Sequence, residues 1–301
     1  MSRSRGDKVF DIANTVFMLL LLLVTFYPLY YTVIASLSEP FDVARGNVRF
    51  LPVNFTLQSY RQVFAYSQIW IGYRNTIFYT VFGTLFSLFL TIPAAYTLSK
   101  KQIPFRGVIT FFFVFTMYFG GGMIPTFLLV RDMGLMNTPW VMIILGGFSV
   151  WNMIVTRVYF MSSIPEELYE SARIDGASDF RQFFTIALPL AKPVIAVITL
   201  WYIVGNWNAF FNALLYIRDA NLEPLQLVLR RVLVLEQSVL DEGLLQDTLQ
   251  PGELLDRVRR AHAAYTMRYA MVFIASFPLL VAYPFIQKHF VKGIMVGSLK
   301  G

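Results

Sequence analysis

Ser162-Ser-Ile-Pro-Glu-Glu-Leu-Tyr-Glu-Ser-Ala-Arg-Ile-Asp-Gly-Ala177 stands between two apolar runs and leads, through Ser178, to Phe183-Phe-Thr-Ile186 and Leu188-Pro189. Ser163 and Glu166 lie three apart with Pro165 between them, a spacing that predicts a capping-box helix start. Ile164, Leu168 and Ala172 then recur at i, i+4 and i+8 as a narrow apolar stripe, while Glu167, Glu170 and Arg173 are polar. Gly176 suits the left-handed residue that ends such a helix. Ser178 is placed to cap a second helix that runs back into apolar sequence. By spacing alone the segment is either an interfacial amphipathic connector or a surface on which a partner docks.

Outward from this segment the chain is apolar. Of 301 residues 56% are hydrophobic and only 14% charged, with a mean hydropathy of +0.57. A soluble fold carries about a quarter of its residues charged, so a soluble enzyme, a disordered regulator and a secreted disulfide scaffold are excluded. There is no cysteine, and the two histidines, His262 and His289, are too few for a Cys/His metal cluster. The net charge of +7 is scattered among apolar runs, which reads as the flanks of membrane spans rather than a nucleic-acid surface.

A helix crossing a hydrocarbon core of roughly 30 Å needs about 20 apolar residues. Six runs qualify, at 12–37, 75–99, 107–130, 138–160, 193–217 and 269–287, so the expected fold class is an all-α integral membrane protein of six transmembrane helices. The first run reads as a retained anchor, because its apolar stretch is too long for a signal peptide. Arg157, in the last turn of the fourth run, is expected to snorkel to the headgroups. An even number of spans puts both termini on one side. Lys and Arg divide 13 against 12 between the sides, which decides nothing, but all seven lysines fall on the side of the termini. That side is taken as cytoplasmic. It then holds the tail 1–11, the loop 161–192 and the tail 288–301, while 218–268 faces outward as a polar loop.

Glu170-Ser-Ala172-x-x-Asp175-Gly176-Ala177, five residues, then Phe183-x-x-Ile186-x-Leu188-Pro189 resembles the "EAA" loop of ABC importer permeases, whose pattern is E-A-A-x-x-D-G-A-x5-F-x-x-I-x-L-P. Ser171 in place of the first alanine is the one departure, small for small. Pro165-Glu-Glu-Leu168, Gly205-Asn-Trp-Asn208, Pro224-Leu-Gln-Leu-Val-Leu-Arg230 and the tail from Phe290 to Gly301 are similar to the maltose-type carbohydrate-uptake permeases. The resemblance covers nearly the whole chain. It implies a type I importer permease core in the inner membrane of a bacterium. A paralogous permease would complete the pathway, an ATP-binding cassette ATPase dimer would hold the loop helix in a cleft, and an extracytoplasmic solute-binding protein would deliver an oligosaccharide. It implies ATPase coupling through Leu168, Glu170, Ala172, Asp175, Gly176 and Ala177, with ATP and Mg bound by the ATPase, and a tail with Lys292 and Gly293 that reaches toward the ATPases. The residues agree with that division of labour: no G-x-x-x-x-G-K-[ST] is present to cradle phosphates.

Other classes find less support. A secondary transporter would need an ion site or an inverted repeat, and no span contains an acidic residue to build a proton relay. A membrane enzyme would need a nucleophile–base pair that the spans lack.

Polar side chains in the spans concentrate in the fifth run as Asn206, Trp207, Asn208 and Asn212. Trp201, Gly205, Asn208 and Asn212 fall on one helical face. Two readings stand: a sugar path, since amides match hydroxyls and indole stacks on a pyranose, or interhelical glue. Asn152 in the fourth run and Tyr118 in the third are further path candidates, and Gly120-Gly-Gly122 with Pro125 marks a kink or a close helix crossing. Twelve arginines fall on the outward side. They are either paired with the loop acids Glu223, Glu236, Asp241, Glu242, Asp247, Glu253 and Asp256, or they form a vestibule that concentrates anions. The resemblance is nearest to importers of uronic-acid oligosaccharides such as alginate, so the expected cargo is an acidic alginate- or pectin-type fragment, with neutral oligosaccharides as the alternative.

Overall fold

The computed structural model describes residues 5–232, 266–282 and 284. The chain divides into two compact units, one built from the described residues up to Ile69 and from Leu229 to Phe277, the other from those from Trp70 to Val228 and from Pro278 onward.

In the first unit the helix Arg5–Ser36 is long and apolar enough to cross a membrane, and none of its most apolar window is buried. Its C-terminal end is pinned instead. Ile34, Ala35, Val43 and Val48 form a small core with Tyr30, Tyr31 and Tyr269. Ser38 Oγ donates to the Ile34 carbonyl at 2.6 Å and accepts from the Val53 amide at 3.1 Å. The hydroxyls of Tyr27 and Tyr30 donate to the carbonyls of Arg49 and Phe50. Ser59 donates to Thr266 at 3.1 Å, joining the helix Gln58–Ala65 to the helix Thr266–Ala282.

The helix Ser67–Ser99 lies almost wholly in the second unit and is, among the described residues, the other helix that is by itself long and apolar enough to span. The third, fourth and fifth runs are interrupted. Arg106–Tyr118 and Met123–Asp132 meet at 110°. The turn falls on Gly120-Gly-Gly122, where Gly122 has φ +87°, so the triple glycine is a sharp bend. The fourth run is a short helix Pro139–Ile144, a break, and the helix Val150–Ser163. The fifth is Lys192–Trp207 followed by Phe211–Tyr216. The helical stretch Asp179–Leu190 also meets Lys192–Trp207 at 78°, and counting this pair and the one bent at the triple glycine as one span each gives up to four spans among the described residues by length and composition. Among the described residues there is no strand, and the protein is an all-α integral membrane protein.

A broken helix at membrane depth frees backbone groups that water cannot satisfy, so neighbouring side chains must do so. Ser87 Oγ donates to the Gly146 carbonyl at 3.3 Å, and the Ser149 amide donates to the Tyr202 hydroxyl at 3.2 Å. That hydroxyl is 2.7 Å from Thr91 Oγ1. The break is thus held by Ser67–Ser99 on one side and Lys192–Trp207 on the other.

The first part of the expected outward loop is not a solvated connector. Residues 225–232 are helical, and Leu225 and Val228 are buried. Leu225 N donates to Thr76 Oγ1 at 2.8 Å, Asn75 Nδ2 donates to the carbonyls of Asn221 and Glu223, and the Tyr79 hydroxyl to that of Leu222. Leu225 lies so close to Gly72 that a Cβ there would sit 2.9 Å from its Cα. Glu223 is itself buried. The other loop acids, His262, His289 and the tail with Lys292 and Gly293 lie outside the described residues.

Candidate functional site

The loop after Val150–Ser163 folds into the helix Glu166–Ile174, a turn at Asp175 and Gly176, and a helical stretch from Asp179 to Leu190 containing a π turn at Phe183–Ala187. Gly176 has φ +75°. The Ala177 amide donates to the Ala172 carbonyl at 2.8 Å and the Gly176 amide to Arg173 at 3.0 Å, which closes the last turn as a left-handed cap does. Ser178 caps the next helix, its hydroxyl accepting from the Arg181 amide.

The helix begins differently from expectation. Ser163 is the last residue of the preceding helix and makes no capping box; Pro165 is the N-cap, with no side-chain bond. Ile164 is extended, at φ −112° and ψ 111°, so it does not share the phase of the helix that follows. The buried face therefore carries Tyr169, flanked by the half-buried Glu166 and Ala172, and Leu168 points out. Glu170, Asp175 and Gly176 are exposed and Ala177 is half-buried. Beside them stand two large apolar side chains with little cover, Ile174 at 87% and Phe180 at 79% exposure.

Sequence reasoning missed the residues that hold this helix. Tyr96, in the last turns of Ser67–Ser99, has ring centroids 5.6 Å from Phe160, 6.2 Å from Tyr169 and 4.9 Å from Phe183. It touches the helix before the loop, the loop helix and the helix after it. Lys100 Nζ lies 2.8 Å from the Tyr169 ring centroid and 4.8 Å from that of Tyr96. Lys101 pairs with Glu166 at 3.0 Å. Burial pushes Lys100 down to about 8, with Arg173 adding to the fall and Asp179 and Glu166 opposing it. The Lys101 hydrogen bond holds the Glu166 carboxyl below its usual range. Burial, with Tyr96 and Glu166, pushes the Tyr169 phenol up. Only the adjacent lysines at the end of an apolar run hinted at this cluster.

Arg157 has a backbone partner. Its Nε donates to the Leu98 carbonyl at 2.9 Å, and Arg106 reaches the Ser99 carbonyl at 3.4 Å. Both satisfy carbonyls left over at the C-terminus of Ser67–Ser99, where the helix dipole favours cations.

The polar residues of the fifth run separate. The helix ends at Trp207, Asn208 is its C-cap, and Asn212 belongs to the next helix, so one continuous face is not kept. Trp207 is buried against Tyr73. Asn206 Nδ2 donates to Thr84 Oγ1 at 3.3 Å, and its amide fills the space beside Gly83 and Gly146. That is the geometry of glue. Asn208 is exposed, donating to the Val204 carbonyl and accepting from Gln226 at 3.4 Å. Trp201 and Tyr118 are exposed, Asn212 is half-buried and Asn152 is buried.

The chain thus presents a glycine-capped loop helix between two interrupted apolar runs. The family model described as "Binding-protein-dependent transport system inner membrane component" matches residues 69–296, and the chain belongs to that family. Membership implies a partner ATPase and a solute-binding protein. The chain is 38% identical over 301 residues to protein LplC of Bacillus subtilis (strain 168), covering all of this chain and 98% of that one. It is 36% identical to the polygalacturonan/rhamnogalacturonan transport system permease protein YtcP of the same organism, covering 98% and 99%. Its fold matches a chain of a bacterial ABC transporter involved in the import of the acidic polysaccharide alginate, with a TM-score of 0.82 and 34% identity over 96% of this chain and 99% of that one. More distant Bacillus subtilis relatives are named for galactooligosaccharides and maltodextrin. The protein is a sugar or oligosaccharide ABC importer permease.

Proposed function

We propose that this chain is one permease subunit of an importer for acidic oligosaccharides, and that the helix Glu166–Ile174 is where ATP hydrolysis is coupled to movement. The observation that carries the coupling is the outward face of that helix: Leu168, Glu170 and Ile174 are exposed while Tyr169 anchors the opposite side. An ATPase dimer seated there would pull on a helix whose far end is fixed by the left-handed Gly176. ATP and Mg belong to that partner, a second, related permease completes the path, and an extracytoplasmic binding protein delivers the sugar. Both termini and the loop 161–192 lie in the cytoplasm.

The acidic cargo is supported by two similar proteins, since alginate and polygalacturonan both consist of uronic acids. Among the path candidates of the fifth run, Trp201 and Asn208 are exposed, suited to stacking on a sugar and to bonding its hydroxyls. The test is the ATPase activity of the whole reconstituted transporter with alginate, pectin and malto-oligosaccharide fragments, each with a binding protein that binds it. Stronger stimulation by the acidic fragments is expected, and equal stimulation by neutral ones would reassign the cargo. An Asn208→Leu variant with unchanged transport would remove that residue from the path.

A further inference from the structure

The loop helix must move something other than itself, and the contacts on its buried side indicate what. Lys100 follows the last residue of the spanning helix Ser67–Ser99 and its amide closes that helix on the Thr97 carbonyl at 3.2 Å. Its side chain leaves the helix end and lays the ammonium on the Tyr169 ring, with Tyr96 on its other flank. An ammonium over two phenol rings is held by their quadrupoles, more strongly where water is excluded. The next residue, Lys101, grips the first turn of the same loop helix through Glu166. Tyr96 itself contacts both helices that flank the loop.

We propose that Lys100 is a positioning residue for transport: clasped by Tyr169, it ties the loop helix to the cytoplasmic end of Ser67–Ser99, so that displacement of the loop helix is delivered to that span. The proposal rests on the loop helix being the coupling element. The clasp has somewhere to open. A cavity of about 320 Å³ lies beside it, lined by Ser99, Lys100, Lys101, Ser162, Glu166 and Tyr169 among others. An ammonium released from the rings would swing into water there. The groups facing Lys100 are Tyr96 on its own helix, Glu166, Tyr169 and Arg173 on the loop helix, and Asp179 on the helix that follows. Burial lowers its proton affinity to about 8, so its charge, and with it the attraction to the rings, fades as pH rises through that value.

The experiment uses the complete reconstituted transporter and reads assembly, basal ATP hydrolysis, and the ratio of substrate-stimulated to basal hydrolysis. Lys100→Met keeps the chain length and removes the charge. It is expected to assemble with basal hydrolysis retained and the ratio reduced about fivefold. Lys100→Arg keeps a permanent cation over the rings and is expected to restore the ratio. In the wild type the ratio should fall between pH 7 and 9, while in Lys100→Arg it should stay level across that range. A Lys100→Met transporter with the wild-type ratio overturns the proposal. If Lys100→Met does not assemble, the pH comparison decides, and a fall shared by Lys100→Arg overturns it. Gly176→Val separates the two ideas: if it alone abolishes stimulation, the loop couples without the clasp, whereas normal transport in both variants removes the coupling reading itself.

Discussion

Replacing Gly176 by valine strikes the loop where backbone conformation alone decides the outcome. Gly176 sits at φ +75°, and no atom outside its own surroundings lies within 4 Å of a Cβ built there. Neighbours therefore impose no steric penalty, and what remains is the cost of placing an L-residue in the left-handed region. That cost is about 1–2 kcal/mol for an ordinary side chain and more for a β-branched one. The strain falls on the turn that closes Ala177 onto Ala172 and Gly176 onto Arg173. One to two kcal/mol reduces the population of the closed turn about five- to thirtyfold. The assay is substrate-stimulated ATP hydrolysis by the assembled transporter, with Gly176→Asn as control because asparagine tolerates the same conformation. Valine should abolish most of the stimulation without changing the amount of complex recovered, and asparagine should stay near the wild type. Valine with wild-type stimulation would show that the turn's geometry plays no part in coupling.

Gly72→Ala should lower the thermal stability of the purified protein by about 1–3 kcal/mol, because its Cβ would meet the Leu225 backbone, which cannot rotate away; an unchanged unfolding temperature would contradict that close approach. Tyr169→Phe removes a buried hydroxyl that has no hydrogen-bond partner while keeping the ring under Lys100. It should therefore leave stability equal or higher by up to about 1 kcal/mol, read in the same melt, whereas a loss beyond that range would mean the hydroxyl is satisfied. Asp179→Cys, in a chain without native cysteine, should react with a membrane-impermeant thiol reagent only after cells are opened, and labelling of intact cells would reverse the proposed topology.

The parts of the loop legible in the sequence are those set by local chemistry. Gly176 ends its helix and Ser178 caps the next because each acts through its own backbone and the two or three residues beside it. The inward face of the loop helix was misread for a local reason too: counting Ile164 into the helix shifted the phase by which Leu168, rather than Tyr169, faced the core. Tyr96 and Lys100 were invisible because their contacts join residues about seventy apart, and no spacing rule reports such a pair. Apolar runs predict membrane segments but not their continuity, since Gly146 costs little hydropathy while the tertiary bonds of Ser87 and Tyr202 allow the backbone to break beside it. Asn206 and Trp207, adjacent in sequence, were both path candidates, and the structure turns one to fill the gap beside Gly83 and buries the other against Tyr73. Whether a polar span residue serves as glue or as lining depends on which helices surround it.

Uptake into proteoliposomes tests the account most directly, with this chain, its partner permease and ATPase in the membrane, ATP inside, and a binding protein loaded with a labelled uronic-acid oligosaccharide outside. Accumulation should require ATP, be lost in Gly176→Val, and exceed that of a neutral malto-oligosaccharide delivered by its own binding protein. Accumulation without ATP, or undiminished in Gly176→Val, would contradict coupling through the loop helix.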